Sequence, residues 1–95
     1  MSELPQAQAQ LQIENERVRV TEWRFAPGAH TGWHRHEHDY VVVPLTSGTL
    51  RLDEPQGVRA VSLVAGASYA RAAGVEHDVI NANAFEFAFV EIELK

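Results

Sequence analysis

Residues 85–94, which read FEFAFVEIEL, say most about how this chain folds. In an extended strand the side chains alternate between two faces. One face of this stretch carries three aromatic residues, Phe85, Phe87 and Phe89. The other face carries four aliphatic residues, Ala88, Val90, Ile92 and Leu94. We expect Glu91 and Glu93 to continue the phenylalanine face outward into solvent. A strand that is apolar on both faces is buried on both faces. The stretch therefore predicts a sheet with a core on one side and a second sheet or subunit on the other.

The rest of the chain shows the same two-residue alternation, interrupted by turn formers, and no helical period of 3.6 residues. Further strands are predicted over residues 17–25, 40–45, 49–52, 58–64 and 76–81. Antiparallel strands joined by short turns predict an all-β fold in which the sheet closes on itself as a small jelly-roll barrel. A flat two-sheet sandwich without a usable interior is the competing interpretation.

The length of 95 residues allows a single domain. Residues 1–10 are expected to be a loosely ordered segment or an edge strand, and residues 11–95 to form the barrel. A domain this small has a thin core. Together with the doubly apolar last strand, this predicts a homodimer.

Composition excludes several classes of function. Seven scattered Arg and one Lys stand against 13 acidic residues, for a net charge of −5. This pattern lacks the basic stripe that nucleic acids or anionic membranes require. No apolar run approaches a membrane span, and the first residues lack the signal-peptide pattern, so a cytoplasmic location is expected. The absence of cysteine excludes disulfides, thiolate metal sites and thiol catalysis.

Histidine is the unusual feature, because four of the five histidines fall within residues 30–38. On a strand, His34 and His36 would point to one face about 7 Å apart, within reach of one ion. A third ligand must come from elsewhere, and His77 is the histidine outside the cluster. Taken singly, the pair is better explained by a solvated strand face or a loop, and His77 by a core histidine that donates to a backbone carbonyl. The combination favours a metal site.

The spacing around these histidines resembles the two motifs of the cupin family. The first motif, G-x5-H-x-H-x(3,4)-E-x6-G, is matched at Gly28, His34, His36 and Gly48. The second, G-x5-P-x-G-x2-H-x3-N, is matched at Gly66, Gly74, His77 and Asn81, with Ala72 in place of proline. The resemblance implies a single-domain member of the RmlC-like cupin superfamily, with a metal held inside the barrel by His34, His36 and His77. Residues 32–45 also resemble a subgroup of small bacterial cupins named for β-alanine degradation.

The chain departs from the motif at its glutamate, whose place falls on Tyr40 or Val41. Tyr40 could be a weak ligand, a hydrogen-bond donor beside the ligands or an acid/base, and we name it as the candidate catalytic residue. His38 shares strand parity with the other histidines and is a further candidate. Glu37 and Asp39 are expected to be solvated. We expect Tyr40 near the metal without strong direct ligation.

A three-histidine site without a carboxylate leaves a divalent Fe, Ni, Mn or Zn ion with its full charge and an open position, which attracts a small organic anion. One hypothesis is a metal-dependent enzyme of the oxygenase, lyase or isomerase type. The other is a cupin that binds a metal or a small acid without turnover. A metal-free barrel with acid/base chemistry ranks last, because no carboxylate is found to orient a histidine.

The remaining candidate residues have structural explanations. Arg51 and Arg71 could bind a substrate carboxylate at the barrel mouth, but exposed strand arginines are the commoner outcome. Trp23 and Trp33 are expected to pack or to lie in an interface. Asn81 holds a family position, or shapes a turn.

Overall fold

In the computed structural model, which describes residues 4–95, the chain forms nine β-strands and no helix in that range. The strands are β1 (Gln8–Glu14), β2 (Val18–Phe25), β3 (His34–Arg35), β4 (Asp39–Pro44), β5 (Gly48–Glu54), β6 (Gly57–Leu63), β7 (Tyr69–Arg71), β8 (Glu76–Asn81) and β9 (Phe87–Leu94). The predicted all-β fold is therefore confirmed. Nothing in residues 4–95 is a helix long and apolar enough to cross a membrane.

The strands form two antiparallel sheets that pack face to face as a small jelly roll. The five-stranded sheet has the order β1-β2-β9-β4-β7, and the four-stranded sheet has the order β3-β8-β5-β6. Both sheets contribute to the core between them, whose largest fully buried apolar side chains include Phe25, Phe87 and Leu50. Residues of both sheets, among them Val79 and Phe89, also line a cavity of about 320 Å³. The competing sandwich without an interior is therefore wrong.

Six of the nine strands in the described range match strands predicted from the sequence. β8 has the predicted bounds, and the other predicted strands differ from β2, β4, β5, β6 and β9 by one or two residues at an end. Three strands had no separate prediction, because β3 and β7 span two and three residues and every residue of β1 is exposed. The division at residues 10 and 11 stays a prediction, and residues 1–3 of the predicted segment lie outside the described range.

The last strand corrects two expectations. Phe87 and Phe89 are buried as predicted, but Phe85 lies before the strand and is 49% exposed. The chain still bends there, with the Phe85 carbonyl accepting a hydrogen bond from the side chain of Asn81. Glu91 was expected in solvent, yet it is only 9% exposed. Because Phe87 and Phe89 are buried in the core, Glu91, which has the same parity on β9, faces the interior of the barrel as well.

The outer face of the five-stranded sheet carries a row of apolar side chains. Val20 and Val41 are the register partners of Ile92 on either side of β9, and Ile13 continues the row on β1. Directly opposed residues share a face of the sheet. Ile13 is exposed and the other three are partly exposed. The five-stranded sheet thus has the second apolar face that the sequence predicts. The four-stranded sheet packs against its opposite face.

The buried side-chain amide of Asn81 links the end of β2 to the segment that precedes β9. Its Nδ2 donates to the carbonyl oxygens of Phe25, Ala26 and Phe85 at 2.8–3.2 Å, and its Oδ1 accepts hydrogen bonds from Asn83. The side chain is 1% exposed. Asn81 therefore does more than shape a local turn, since it ties the end of β2 to the bend before β9.

Replacing Asn81 with alanine is expected to lower the free energy of unfolding by about 3 kcal/mol, because buried carbonyls lose their donor. Chemical denaturation followed by circular dichroism measures this loss. Asn15→Ala is the matched control, because Asn15 is exposed and its Oδ1 accepts hydrogen bonds from the backbone amides of Arg17 and Val18 only. That change should cost about 1 kcal/mol or less. Equal losses in the two variants would contradict the role of Asn81.

Candidate metal centre

Strand pairing brings the three predicted histidines together. His34 on β3 and His77 on β8 are direct register partners in an antiparallel pair, so their side chains share a face. His36 lies just beyond β3, where its backbone amide still donates to the carbonyl of Val75 at 2.8 Å. The backbone of His36 is thus held beside the segment that precedes β8. His34 and His36 keep the common orientation predicted from their spacing, although only His34 belongs to a strand.

The imidazoles of these residues, called here the histidine cluster (His34, His36 and His77), point their Nε2 atoms at one another. The Nε2 of His36 lies 3.0 Å from that of His34 and 3.1 Å from that of His77. The three potential ligand atoms all lie within 4.8 Å of one another.

These distances suit a common metal ion. Imidazole nitrogens bind Zn²⁺ at about 2.0–2.1 Å, so two ligands at a right angle are separated by about 3.0 Å and two tetrahedral ligands by about 3.4 Å. Three neutral imidazoles, without thiolate, form a ligand set that suits Zn, Cu, Fe or Ni. The residues present therefore fit a divalent metal in their chemistry and in the spacing of His36 to each of the other two histidines.

The neighbours of His34 fix its tautomer. Its Nδ1 lies 2.9 Å from the carbonyl oxygen of Gly32, which can only accept a hydrogen bond. Nδ1 therefore carries the proton, and Nε2 presents a lone pair to the cluster. Gly32 has a φ of +88°, a conformation that L side chains rarely adopt. Orientation of a metal-binding histidine by a backbone carbonyl is a common arrangement in metalloproteins.

Burial keeps the other two histidines neutral. Desolvation, followed by the charges of His34 and Arg71, lowers the pKa of His36 to about 4. Desolvation, followed by the neighbouring histidines, lowers the pKa of His77 to about 3. The Nδ1 of His77 is buried and has no hydrogen-bond partner among residues 4–95. At neutral pH both rings are uncharged, which is the state a metal ligand requires.

Tyr40 lies against the histidine cluster. Its ring stacks on that of His36, with the centroids 3.9 Å apart and the planes 19° from parallel. The residue is 2% exposed, and its hydroxyl has no hydrogen-bond partner in the described part of the chain. Burial raises the pKa of the phenol well above its usual range, so it stays protonated. Tyr40 thus occupies the interior position where the motif expects a carboxylate, and it presents a neutral donor there.

The other residues weighed as ligands do not join the cluster. His38 lines the 320 Å³ cavity, but its nitrogens are not among the converging ligand atoms. Glu37 and Asp39 are exposed, as expected, and Asp39 accepts a hydrogen bond from the amide of Ala73. His30 instead lies 2.8 Å from a carboxylate oxygen of Asp78.

Two charged residues inside the barrel were missed. Arg71 was expected to be exposed, but its side chain is 26% exposed and lines the interior with Tyr40 and His77. Glu91 lines both this interior space and the larger cavity. Its parity with Phe87 and Phe89 was the signal that could have identified it. Arg51, by contrast, is exposed and binds Asp53, as expected.

Comparisons with known proteins agree with the geometry. The model of the cupin domain family (Cupin_2) matches residues 21–93. The chain is 64% identical, over the full length of both chains, to the β-alanine degradation protein BauB of Pseudomonas aeruginosa.

Solved structures show the same likeness. A cupin domain from Bordetella pertussis superimposes with a TM-score of 0.98 at 57% identity, over 100% of this chain and 99% of that one. A cupin superfamily protein from Desulfitobacterium hafniense shares the fold at 17% identity, with a TM-score of 0.74 over 99% of this chain and 82% of that one. With the family model spanning most of its length and a full-length relative at 64% identity, the chain belongs to the cupin family.

Proposed function

We propose that this cupin binds one divalent metal ion through His34, His36 and His77 and holds a small organic anion at the remaining coordination position. The convergence of the three Nε2 atoms at 3.0–3.1 Å spacings carries the proposal. Fe, Ni, Mn and Zn are the candidate metals, because the site offers imidazole ligands and no sulfur.

The charge balance of the site favours an anionic ligand. Three neutral imidazoles leave the charge of a divalent ion uncompensated, and the ligand cluster includes no carboxylate. His34 and His36 also line the 320 Å³ cavity, so a ligand has access from that side. The volume is near the lower end of the range for small-molecule sites. We therefore propose a ligand with a carboxylate and only a few carbon atoms.

A bound metal would supply Lewis-acid polarisation of the ligand, or redox chemistry if the ion is iron. The residues of this chain have two parts in such chemistry. The histidine cluster orients the ligand, and the neutral phenol of Tyr40 donates a hydrogen bond or a proton from the interior wall. This supports a metal-dependent enzyme of the oxygenase, lyase or isomerase type, with Tyr40 as its acid.

The alternative is a cupin that binds its ligand without turnover. The small cavity favours it, because about 320 Å³ leaves little room for a substrate together with groups that steer a reaction. The name of the P. aeruginosa relative links that protein to β-alanine degradation. This link fits a small amino-carboxylate ligand, both for an enzyme and for a protein that only binds its ligand. Analysis of the products that the metal-loaded protein forms from small carboxylates distinguishes the enzyme from the binding protein without turnover. A cytoplasmic location remains a prediction.

We also propose that the protein is a homodimer that buries the outer face of the five-stranded sheet. The row formed by Ile13, Val20, Ile92 and Val41 crosses four neighbouring strands of that sheet. A contiguous apolar patch on a small domain marks an interface. A second copy fits best, because a sheet face that is apolar can pack against its own copy around a twofold axis.

The metal proposal predicts that protein purified without a histidine tag takes up one equivalent of Ni²⁺ or Zn²⁺. His77→Ala should weaken uptake by about 100-fold or more, since loss of a direct ligand exceeds the 10- to 100-fold effect of an outer hydrogen-bond partner. Equilibrium dialysis with elemental analysis measures both. His38→Ala is the matched control and should keep wild-type affinity. Full metal affinity in His77→Ala would remove His77 from the site.

Tyr40→Phe is expected to leave metal affinity within about threefold of wild type, because the stacked ring that supports His36 is retained. The melting temperature should stay the same or rise, since the change removes a buried hydroxyl without a partner. Metal content and thermal denaturation test the two parts. Loss of the metal in this variant would instead show direct ligation by the phenol.

The dimer proposal predicts a sedimenting species of twice the chain mass at micromolar concentration. Ile92→Lys should convert it to a monomer, because a charge at the centre of the apolar row would be buried without a partner. Val64→Lys is the control, since Val64 is 62% exposed and outside the row. A wild-type monomer at micromolar concentration is the result that rejects the dimer.

A further inference from the structure

Glu91 is a carboxylate in the wall of the cavity with no partner of its own. It is 9% exposed and lines the same 320 Å³ cavity as His34 and His36. Its backbone pairs with β2 and β4, but its carboxylate forms no hydrogen bond or ion pair with any residue in the range 4–95. Its oxygens are not among the converging ligand atoms of the histidine cluster. Glu91 is thus beside the metal site without belonging to it.

The neighbours of Glu91 do not neutralise its charge. Arg71 lines the interior space that Glu91 also borders, but its guanidinium lies 3.7 Å from a carboxylate oxygen of Glu54 and forms no ion pair with Glu91 within residues 4–95. The register partners of Glu91 are Thr21 on β2 and Val42 on β4, both uncharged. Glu93, two residues along the same strand, lies 4.0 Å from the guanidinium of Arg19, which also binds Glu14. Burial, with a smaller contribution from Glu93, raises the pKa of Glu91 to about 7. An unpaired carboxylate in this position is costly unless a proton or another cation compensates it.

The wall next to Glu91 is aromatic. Trp23 and Phe89 are register partners on β2 and β9, and both line the cavity. Aromatic faces beside a carboxylate attract an organic ammonium group, through the ring quadrupole and a charge-assisted hydrogen bond. Arg35 also lines the cavity but is exposed, so solvent screens its charge.

We propose that the ligand of this cavity is a small zwitterion, an amino-carboxylate whose carboxylate faces the histidine cluster and whose ammonium group pairs with Glu91. This rests on the proposed function, because the metal provides the site for the carboxylate. The pairing satisfies both unmatched charges, the positive one on the metal and the negative one on Glu91. Glu91 is then the residue that separates amino-carboxylates from simple carboxylates of the same length.

Isothermal titration calorimetry of the Zn²⁺-loaded protein tests the proposal with three matched pairs of probes: glycine and acetate, β-alanine and propionate, and 4-aminobutyrate and butyrate. At least one amino-carboxylate should bind about ten-fold or more tightly than its partner, the preference expected from a hydrogen bond to a charged group. In Glu91→Gln, which keeps the side-chain shape, this preference should fall to about one. Zn²⁺ affinity should be unchanged in the variant.

Glu86→Gln is the matched control, because Glu86 is exposed and pairs with Arg24 outside the cavity. It should keep the wild-type preference, and circular dichroism should show that both variants are folded. A preference that survives in Glu91→Gln would place the amino group on the metal and overturn the proposal. Equal binding within every pair, or no binding of any probe, overturns it as well. Failure to take up Zn²⁺ overturns the proposed function together with this inference, whereas Zn²⁺ uptake without a preference overturns this inference alone.

Discussion

The position of β9 between β2 and β4 is the constraint on which the rest of the structure depends. Both sides of β9 are hydrogen-bonded, so its residues have no freedom to exchange faces. One parity places Phe87 and Phe89 in the core and Glu91 in the cavity wall. The other parity places Ile92 on the outer face, at the centre of the apolar row. A single register thus determines part of the core, one wall of the candidate site and the apolar row that we propose as the dimer interface.

The histidine cluster depends on a much weaker element. β3 has only two residues, and its pairing with β8 sets His34 opposite His77. Around that short pairing, the Gly32 carbonyl orients His34 and the ring of Tyr40 supports His36. The site is therefore held by specific contacts of side chain and backbone more than by the sheet itself. Such contacts fix the direction of the lone pairs, on which metal binding depends.

The interior of this cupin holds a neutral phenol and a separate buried carboxylate in place of the motif glutamate. Tyr40 occupies the interior position that the sequence motif gives to a carboxylate, and its phenol stays neutral. A buried carboxylate comes from β9 instead, where Glu91 lines the cavity without joining the ligand cluster. In the proposed complex, a negative charge at this position would leave the full metal charge for the carboxylate of the ligand and would pair with the ammonium group at its other end.

The sequence by itself determined the all-β class, the family, and the choice of three histidines as candidate ligands. It could do so because two-residue alternation and motif spacing are local properties of the chain. It also contained the parity of Glu91 with Phe87 and Phe89, but a charged residue near the end of a strand is usually exposed, and parity alone did not outweigh that expectation. Only the tertiary structure decided that Glu91 and Arg71 face the interior, that Phe85 lies outside the strand, and that Asn81 joins distant backbone segments. The physical reason is that burial depends on which strands flank a residue, and the order β1-β2-β9-β4-β7 arises from contacts between segments far apart in the chain.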